Sequence, residues 1–401
     1  MSKKRKAPVL RSQEFDAGGP GSVLSDFETL LDFIGPDGVR AAGKYHFLPI
    51  ERLDELDAKM TNPLRPGLER PQQRSFPHID GLYLLLRATG LGVPQGMGKK
   101  TGMLVLDQVM LEQWRALNAT ERYFNLLEAW LRRGRSEMLG EGVSWMSTMV
   151  AAFRELWQRV AIYRGADKRF SRDALYGRVS YCCLALAELF GLLDVPRGGT
   201  AGEGNWQILD VRPTEFGEAV VETIFDKPLD LLIPRARQED EPEFGAWQAW
   251  FQERFPEWRN NLTLPEPEQR EGVFIFKAKL GSVWRRIAVP AECELDALAW
   301  AIIRGFKFDG DHLYDFRFSG RDGSQVRVVC PYIEDAEAWT DEYSIGHLPL
   351  AEGQSMEFEY DYGASWRFDV KLEKVAPPDA RMKKPRVLES HGTPPKEYDG
   401  W

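Results

Sequence analysis

VFIFKAKL (Val273–Leu280), VWRRIAVP (Val283–Pro290), ELDALAWAIIRGFKF (294–308), DHLYDFRF (311–318) and SMEFEYDYGASWRFDVKLEKV (355–375) are the stretches whose periodicity decides the fold. Phe274, Phe276, Ala278 and Leu280 alternate, which places them on one face of a strand. Leu295, Leu298, Ala299, Ile302 and Ile303 follow the spacing of a helix face, and Gly305 stands where such a helix stops. His312, Tyr314, Phe316 and Phe318 alternate again, as do Met356, Phe358, Tyr360, Tyr362 and then Trp366, Phe368, Val370, Leu372. Glu357, Glu359, Asp361, Arg367, Asp369, Lys371 and Glu373 point to the opposite side, and Gly363-Ala364 is short enough for a tight hairpin between the last two strands. The expected result is a compact α+β domain of antiparallel strands, with one aromatic-rich face packed on a helix.

The whole chain has 401 residues, room for two or three domains. Its formal charge of −9 argues against coating nucleic acid with the molecule as a whole, because phosphate binding needs a local excess of Lys and Arg. The four cysteines, Cys182, Cys183, Cys293 and Cys330, form no C-x-x-C spacing, so neither a disulfide framework nor a zinc site is expected. A reducing cytoplasm fits that usage. There is no apolar run of membrane-spanning length and no signal-peptide core.

Residues 1–24 begin MSKKRKAPVLRS and read as a disordered basic tail. From 25 to 232 the pattern is mainly helical. SDFETLLDFI is a short amphipathic helix with Ser25 as its N-cap, and 51–60 is a second helix ended by Asn62-Pro63. Two similar units follow, marked by Gly90-Leu91 and Gly191-Leu192. In each, a helix (79–89; 179–190) leads through a glycine-rich turn and strand to a capped helix, with Asp107 and Thr214 at the caps. A helix, a β-hairpin and a helix in this order look like a winged helix, and LDVRPTEFGEAV resembles the segment that follows the wing in such proteins. Between the units, 121–133 and 146–163 carry strong helical stripes that read as core. Residues 233–271 read as a linker containing an aromatic helix (Trp247, Trp250, Phe251, Phe255, Trp258) whose near-helical spacing marks a packing helix rather than a base-stacking platform, and 272–401 is the C-terminal α+β domain.

WRRIAVP, the following helix, HLYDF, YDYGASW and the closing VKLE resemble the plasmid pRi ORF-3-like family, which includes insertion-sequence accessory proteins often labelled TnpR. The tail KPRVLESHGTPPKEYDGW is similar to the family's "PRCL…PPEDCGG" segment, with Val387 and Tyr398 at places where the family often has cysteine. A thiol or metal role of those cysteines therefore does not transfer. The resemblance covers roughly the last third of the chain. It implies an α+β fold, a bacterial origin and a mobile-element setting, and it implies no established reaction.

Candidate sites follow from residue chemistry. GMGKKT (96–101) fails the phosphate-loop pattern, since Lys100 stands where Ser or Thr is needed and Val93 where the first Gly is needed. As a wing tip, Lys99 and Lys100 can lie against a DNA backbone, and Arg132, Arg133 and Arg197 are further candidates for phosphate contact. Asp309, Asp311, His312 and Asp315 are the densest set of acid–base or metal-binding groups, with turn aspartates and a structural histidine as the competing reading. Tyr360, Tyr362 and Trp366 are core aromatics or a partner-binding surface. Recombination needs a nucleophilic Ser or Tyr framed by arginines, and this domain supplies none. The expectation is a non-enzymatic binding protein that takes DNA or a DNA-associated protein, without cofactor or membrane partner. The alternatives are a protein-interaction module or, behind it, a metal-dependent hydrolase at Asp309, Asp311 and His312.

Overall fold

The computed structural model describes residues 14–16, 18–41, 43, 45–65, 67–95, 102–141, 148–166, 168–170, 172–175, 177–198, 206–232, 243–265, 269–320, 325–334, 336 and 338–397. The chain divides into two units, with described residues up to 264 in the first and from 265 in the second.

The N-terminal unit runs α1 (Val23–Ile34), β1 (Val39–Ala41), α2 (Leu53–Lys59), α3 (Pro77–Ala88), β2 (Gly92–Gln95), β3 (Gly102–Leu106), α4 (Gln108–Ala116) and α5 (Ala119–Glu128). It continues with α6 (Met149–Gly165), α7 (Gly177–Leu189), β4 (Leu193–Asp194), β5 (Arg212–Pro213), α8 (Glu215–Phe225), α9 (Leu229–Leu232) and α10 (Gln248–Phe251). Both expected helix–hairpin–helix runs are present, as α3–β2–β3–α4 and α7–β4–β5–α8. β1 adds to the first hairpin, giving a sheet of order β1-β3-β2. The capping residues act as expected: the Asp107 carboxylate accepts from Met110 N at 3.0 Å, and the Thr214 hydroxyl accepts from Gly217 N at 2.8 Å. Ser25 does not cap, because α1 begins two residues earlier; its hydroxyl donates to the Ser22 carbonyl.

α3 is the centre of this unit. Every one of its residues from Pro77 to Ala88 is buried, so it presents no face to solvent. Ile79, Leu82, Leu84, Leu85 and Leu86 are fully enclosed, each worth about 1.5–3 kcal/mol of transfer free energy. α7 packs directly against α3, and Gly81 allows the approach: a Cβ there would stand 2.8 Å from the Leu186 side chain. Polar groups of the two helices also meet. The Asp80 carboxylate takes a forked pair of hydrogen bonds from Arg178, at 2.7 and 2.5 Å. His78 Nε2 lies 2.5 Å from the Glu188 carboxylate.

The aromatic stretch expected to be a packing helix within the linker does pack, as part of this core, but not as one helix. Only its Gln248–Phe251 turn is helical, and Phe244, Trp247, Phe251, Phe255 and Trp258 are buried. One face of α5 holds it. The Glu121 carboxylate accepts from Arg259 N and Asn260 N, Asn125 Oδ1 accepts from Leu262 N, and Glu128 accepts from Gly245 N and Trp247 N. The 4- and 3-residue spacing of these side chains puts them on one helical face. Beyond Glu128 the helix widens into a π turn over Ala129–Arg133.

The C-terminal unit is a seven-stranded antiparallel sheet among the described residues. Its strands are β6 (Val273–Leu280), β7 (Val283–Pro290), β8 (Tyr314–Ser319), β9 (Gln325–Val329), β10 (Ser355–Tyr360), β11 (Trp366–Ala376) and β12 (Arg386–His391), in the order β12-β7-β6-β11-β10-β8-β9. α11 (Leu295–Gly305) covers one face through Leu295, Leu298, Ala299, Ile302 and Ile303, the stripe read from the sequence. Phe274, Phe276, Phe316, Phe358 and Phe368 meet it from the sheet. The first amides of α11 are satisfied by the carbonyls of Tyr343 and Thr340. The opposite face is charged, and its cross-strand partners in register include Glu359 with Arg367 and Glu357 with Arg317. β12 was not anticipated, because all six of its residues are exposed and leave no alternation to read.

Candidate functional site

The site lies at one end of the C-terminal sheet, where three separate stretches meet. The first is the loop between α11 and β8. Gly310 has φ +80°, and a Cβ there would stand 2.6 Å from the Trp300 ring, so the loop requires glycine on two counts. The second is the turn after β10, where Asp361 has φ 55°. Its Oδ1 accepts from Gly363 N at 2.9 Å and Ala364 N at 3.2 Å, the short side chain supporting the left-handed backbone that closes the hairpin. The third is the segment reaching Glu397.

Tyr360 joins the three. Its ring is buried beside Phe308, with centroids 5.7 Å apart. Its hydroxyl accepts from Gly310 N at 3.0 Å and donates to Glu397 Oε1 at 2.8 Å, with Asp311 Oδ1 at 3.4 Å. Burial, and then the hydrogen bond to Glu397, hold the phenol well above its ordinary pKa, so it stays a donor. Glu397 also accepts from Asp309 N at 2.5 Å. His312 Nε2 lies 3.5 Å from Asp311 Oδ1 and 3.7 Å from Asp361 Oδ2. Asp311 is the exposed member, His312 is half-buried and Asp361 is buried. The ligand atoms of Asp311, His312 and Glu397 lie within 4.8 Å of one another, so this is the set that could hold a metal ion.

Of the acid–base set read from the sequence, Asp311 and His312 are here. Asp309 contributes its backbone amide, and Asp315 is elsewhere. His312 precedes β8 rather than continuing its alternation, since the strand begins at Tyr314. Asp315 points to the charged face and is fully buried there, directly opposite Glu359 in register. Two facing carboxylates would repel, and Arg317 relieves this by pairing with Asp315 at 3.0 Å and Glu359 at 2.7 Å. Arg327 adds a second guanidinium on Asp315 at 2.6 Å. Arg367 pairs with Glu359, not with Asp361.

Of the partner-binding candidates, Tyr360 is core, Trp366 is partly buried against Phe308, and Tyr362 is exposed with the Arg327 guanidinium 5.6 Å from its ring centre. Glu397 escaped sequence reading. The available signal was its place in the PPKE segment, whose family-like tail had no evident contact with HLYDF.

The phosphate-contact candidates are scattered. Lys99 and Lys100 lie outside the described residues. Arg132 donates to the Glu243 carbonyl, and Arg133, itself buried, donates to the Ala88 carbonyl at 2.6 Å. Arg197 donates to the Asn62 carbonyl and pairs with Glu188 at 3.0 Å. All three described arginines therefore join segments of the N-terminal unit.

The site residues, from the loop, the hairpin turn and the tail, fall within the stretch that carries the family resemblance. Residues 276–400 match the family model for the plasmid pRiA4b ORF-3-like protein. The ORF-3-like region thus takes in six of the seven strands entirely and most of β6, with α11 and every residue of the corner. A solved protein of unknown function from Methanosarcina mazei Go1 is similar at 22% identity over 32% of this chain and 74% of that one, with a TM-score of 0.29. No curated protein matches the chain. No helix among the described residues is long and apolar enough to cross a membrane.

Proposed function

We propose that the protein is a non-enzymatic accessory factor that binds another protein, with the His312–Tyr360–Glu397 corner and the neighbouring Tyr362 as its recognition surface. The observation that carries this reading is the convergence there of three stretches distant in sequence on a polar, partly exposed corner. Tyr360 braces the corner from beneath by packing and by hydrogen bonds to two of the stretches. Oriented polar groups on a rigid base are what recognition requires. The mobile-element setting comes from the family resemblance alone.

The N-terminal unit bears on the alternative of DNA binding. Its order α1–β1–α2–α3–β2–β3, with sheet order β1-β3-β2, supports a winged-helix-like reading of the first unit. A helix that enters a DNA groove must present a face to solvent. α3 is buried at every position and α7 packs on it. The described arginine candidates are engaged with carbonyls or Glu188, which weakens the case for a phosphate footprint.

Titration of full-length protein onto labelled random duplex, from low to physiological salt, is expected to give no saturable binding. Binding that falls steeply with salt, and weakens when Lys99 and Lys100 are both changed to Ala, would overturn the reading in favour of DNA. A protein partner retained by the native chain is expected to be lost with His312→Ala or Tyr362→Ala, since neither side chain belongs to the buried core.

A further inference from the structure

We propose that Asp311, His312, Asp361 and Glu397 form a site for a divalent transition-metal cation. Three of these residues already offer ligand atoms within 4.8 Å of one another, although Glu397 is 85 positions from His312 in the chain. Asp361 adds an independent reason. It is buried, its Oδ1 is taken by the turn amides, and its Oδ2 faces His312 Nε2 at 3.7 Å, too far for a hydrogen bond. Among the described residues no Lys or Arg pairs with Asp311 or Asp361. No cationic side chain among them neutralises these carboxylates, and a cation lying between Asp361 Oδ2 and the imidazole would supply that charge while taking both as ligands.

The donor set names the class of ion. One imidazole with carboxylate oxygens suits zinc or manganese, whereas the absence of thiolate from the set disfavours softer ions. Asp311 is two-thirds exposed, which leaves room for water to complete the coordination sphere. Tyr360 fills the supporting role, since its hydroxyl bonds to Glu397 and fixes the carboxylate's orientation. The ion would tie the Glu397 segment to the loop at Asp311 and the hairpin turn at Asp361. The proposal concerns the recognition corner but needs no partner, so it is measured on the chain alone and stands or falls separately from the partner reading.

The test uses metal-free full-length protein. Mn²⁺ is titrated with free ion read by electron paramagnetic resonance, and Zn²⁺ by competition with a chromophoric chelator. One equivalent per chain is expected for at least one of the two ions. His312→Ala and Glu397→Gln should each weaken it by about tenfold or more. Asp311→Asn, an exposed substitution that leaves the core untouched, should weaken it as well. Cys293→Ser and His391→Ala are controls that should leave binding unchanged. No saturable binding of either ion overturns the proposal. So does binding that persists unchanged in both Asp311→Asn and His312→Ala, which would mark an adventitious surface ion.

Discussion

In the N-terminal unit, Glu121, Asn125 and Glu128 on one helix face take backbone amides from a segment as much as 139 residues further along. In the C-terminal unit, charged side chains of neighbouring strands take one another, as Arg317 does between Asp315 and Glu359. The first arrangement uses side-chain oxygens to hold main chain that has no regular structure of its own. The second neutralises side chains on a sheet whose main chain is already paired. The difference predicts where a single substitution hurts most. An amide stranded in a core has no second partner, whereas a cross-strand ion pair has neighbours that share its charge.

The sharpest way to break the comparison is Glu128→Leu. It strands the amides of Gly245 and Trp247, and a loss of about 3 kcal/mol in unfolding free energy is expected from denaturant titration. A loss below that of the sheet variants would mean that the amides find water and that the contrast is false.

Next comes pH. Burial raises the Glu128 carboxyl to about 7, against the opposing pull of the Trp247 amide. A folded pKa above the unfolded value gives a contribution that is full below about 4.5 and is lost as pH rises through about 7. The stability of the N-terminal unit should therefore fall over that window by about 3 kcal/mol, and Glu128→Gln should flatten the slope. A slope unchanged in the variant would assign it to another group.

Asp315→Asn should cost about 2 kcal/mol, because it leaves Arg317 and Arg327 short of one buried negative charge while Glu359 still serves Arg317. Arg286→Ala, which removes partly exposed pairs with Glu373 and Glu389 on the same sheet, should cost less than about 1 kcal/mol. Thermal midpoints of the two variants order them directly, and equal losses would mean that burial does not separate these pairs.

The same contrast explains what could be read in advance. The strands β6–β8, β10 and β11 and the stripe of α11 were legible because a half-buried element repeats its burial in its sequence. The caps at Asp107 and Thr214 were legible because a cap is a local bond. The Phe244–Leu262 stretch was legible as packing aromatics but not as mostly irregular chain, since its order comes from side chains on α5 and near-helical spacing reads as a helix. β12 offered no pattern because neither of its faces is buried. At the corner, the Asp311–His312 pair was visible as a dense local set. Glu397 depends on the closure of the whole sheet, which no local spacing encodes.

The packing of α7 on α3 has a consequence for how the molecule responds to dilution. α3 has no face suited to water, so a body built around it needs a covering helix at all times. Two separate copies could cover one another only while their concentration exceeded the dissociation constant. Here the cover is carried on the same chain, joined through the Gly81–Leu186 approach and the Asp80–Arg178 fork. Its effective concentration is set by tether length and not by the number of molecules present. This closure therefore holds equally in a cell with a handful of copies and in a concentrated solution.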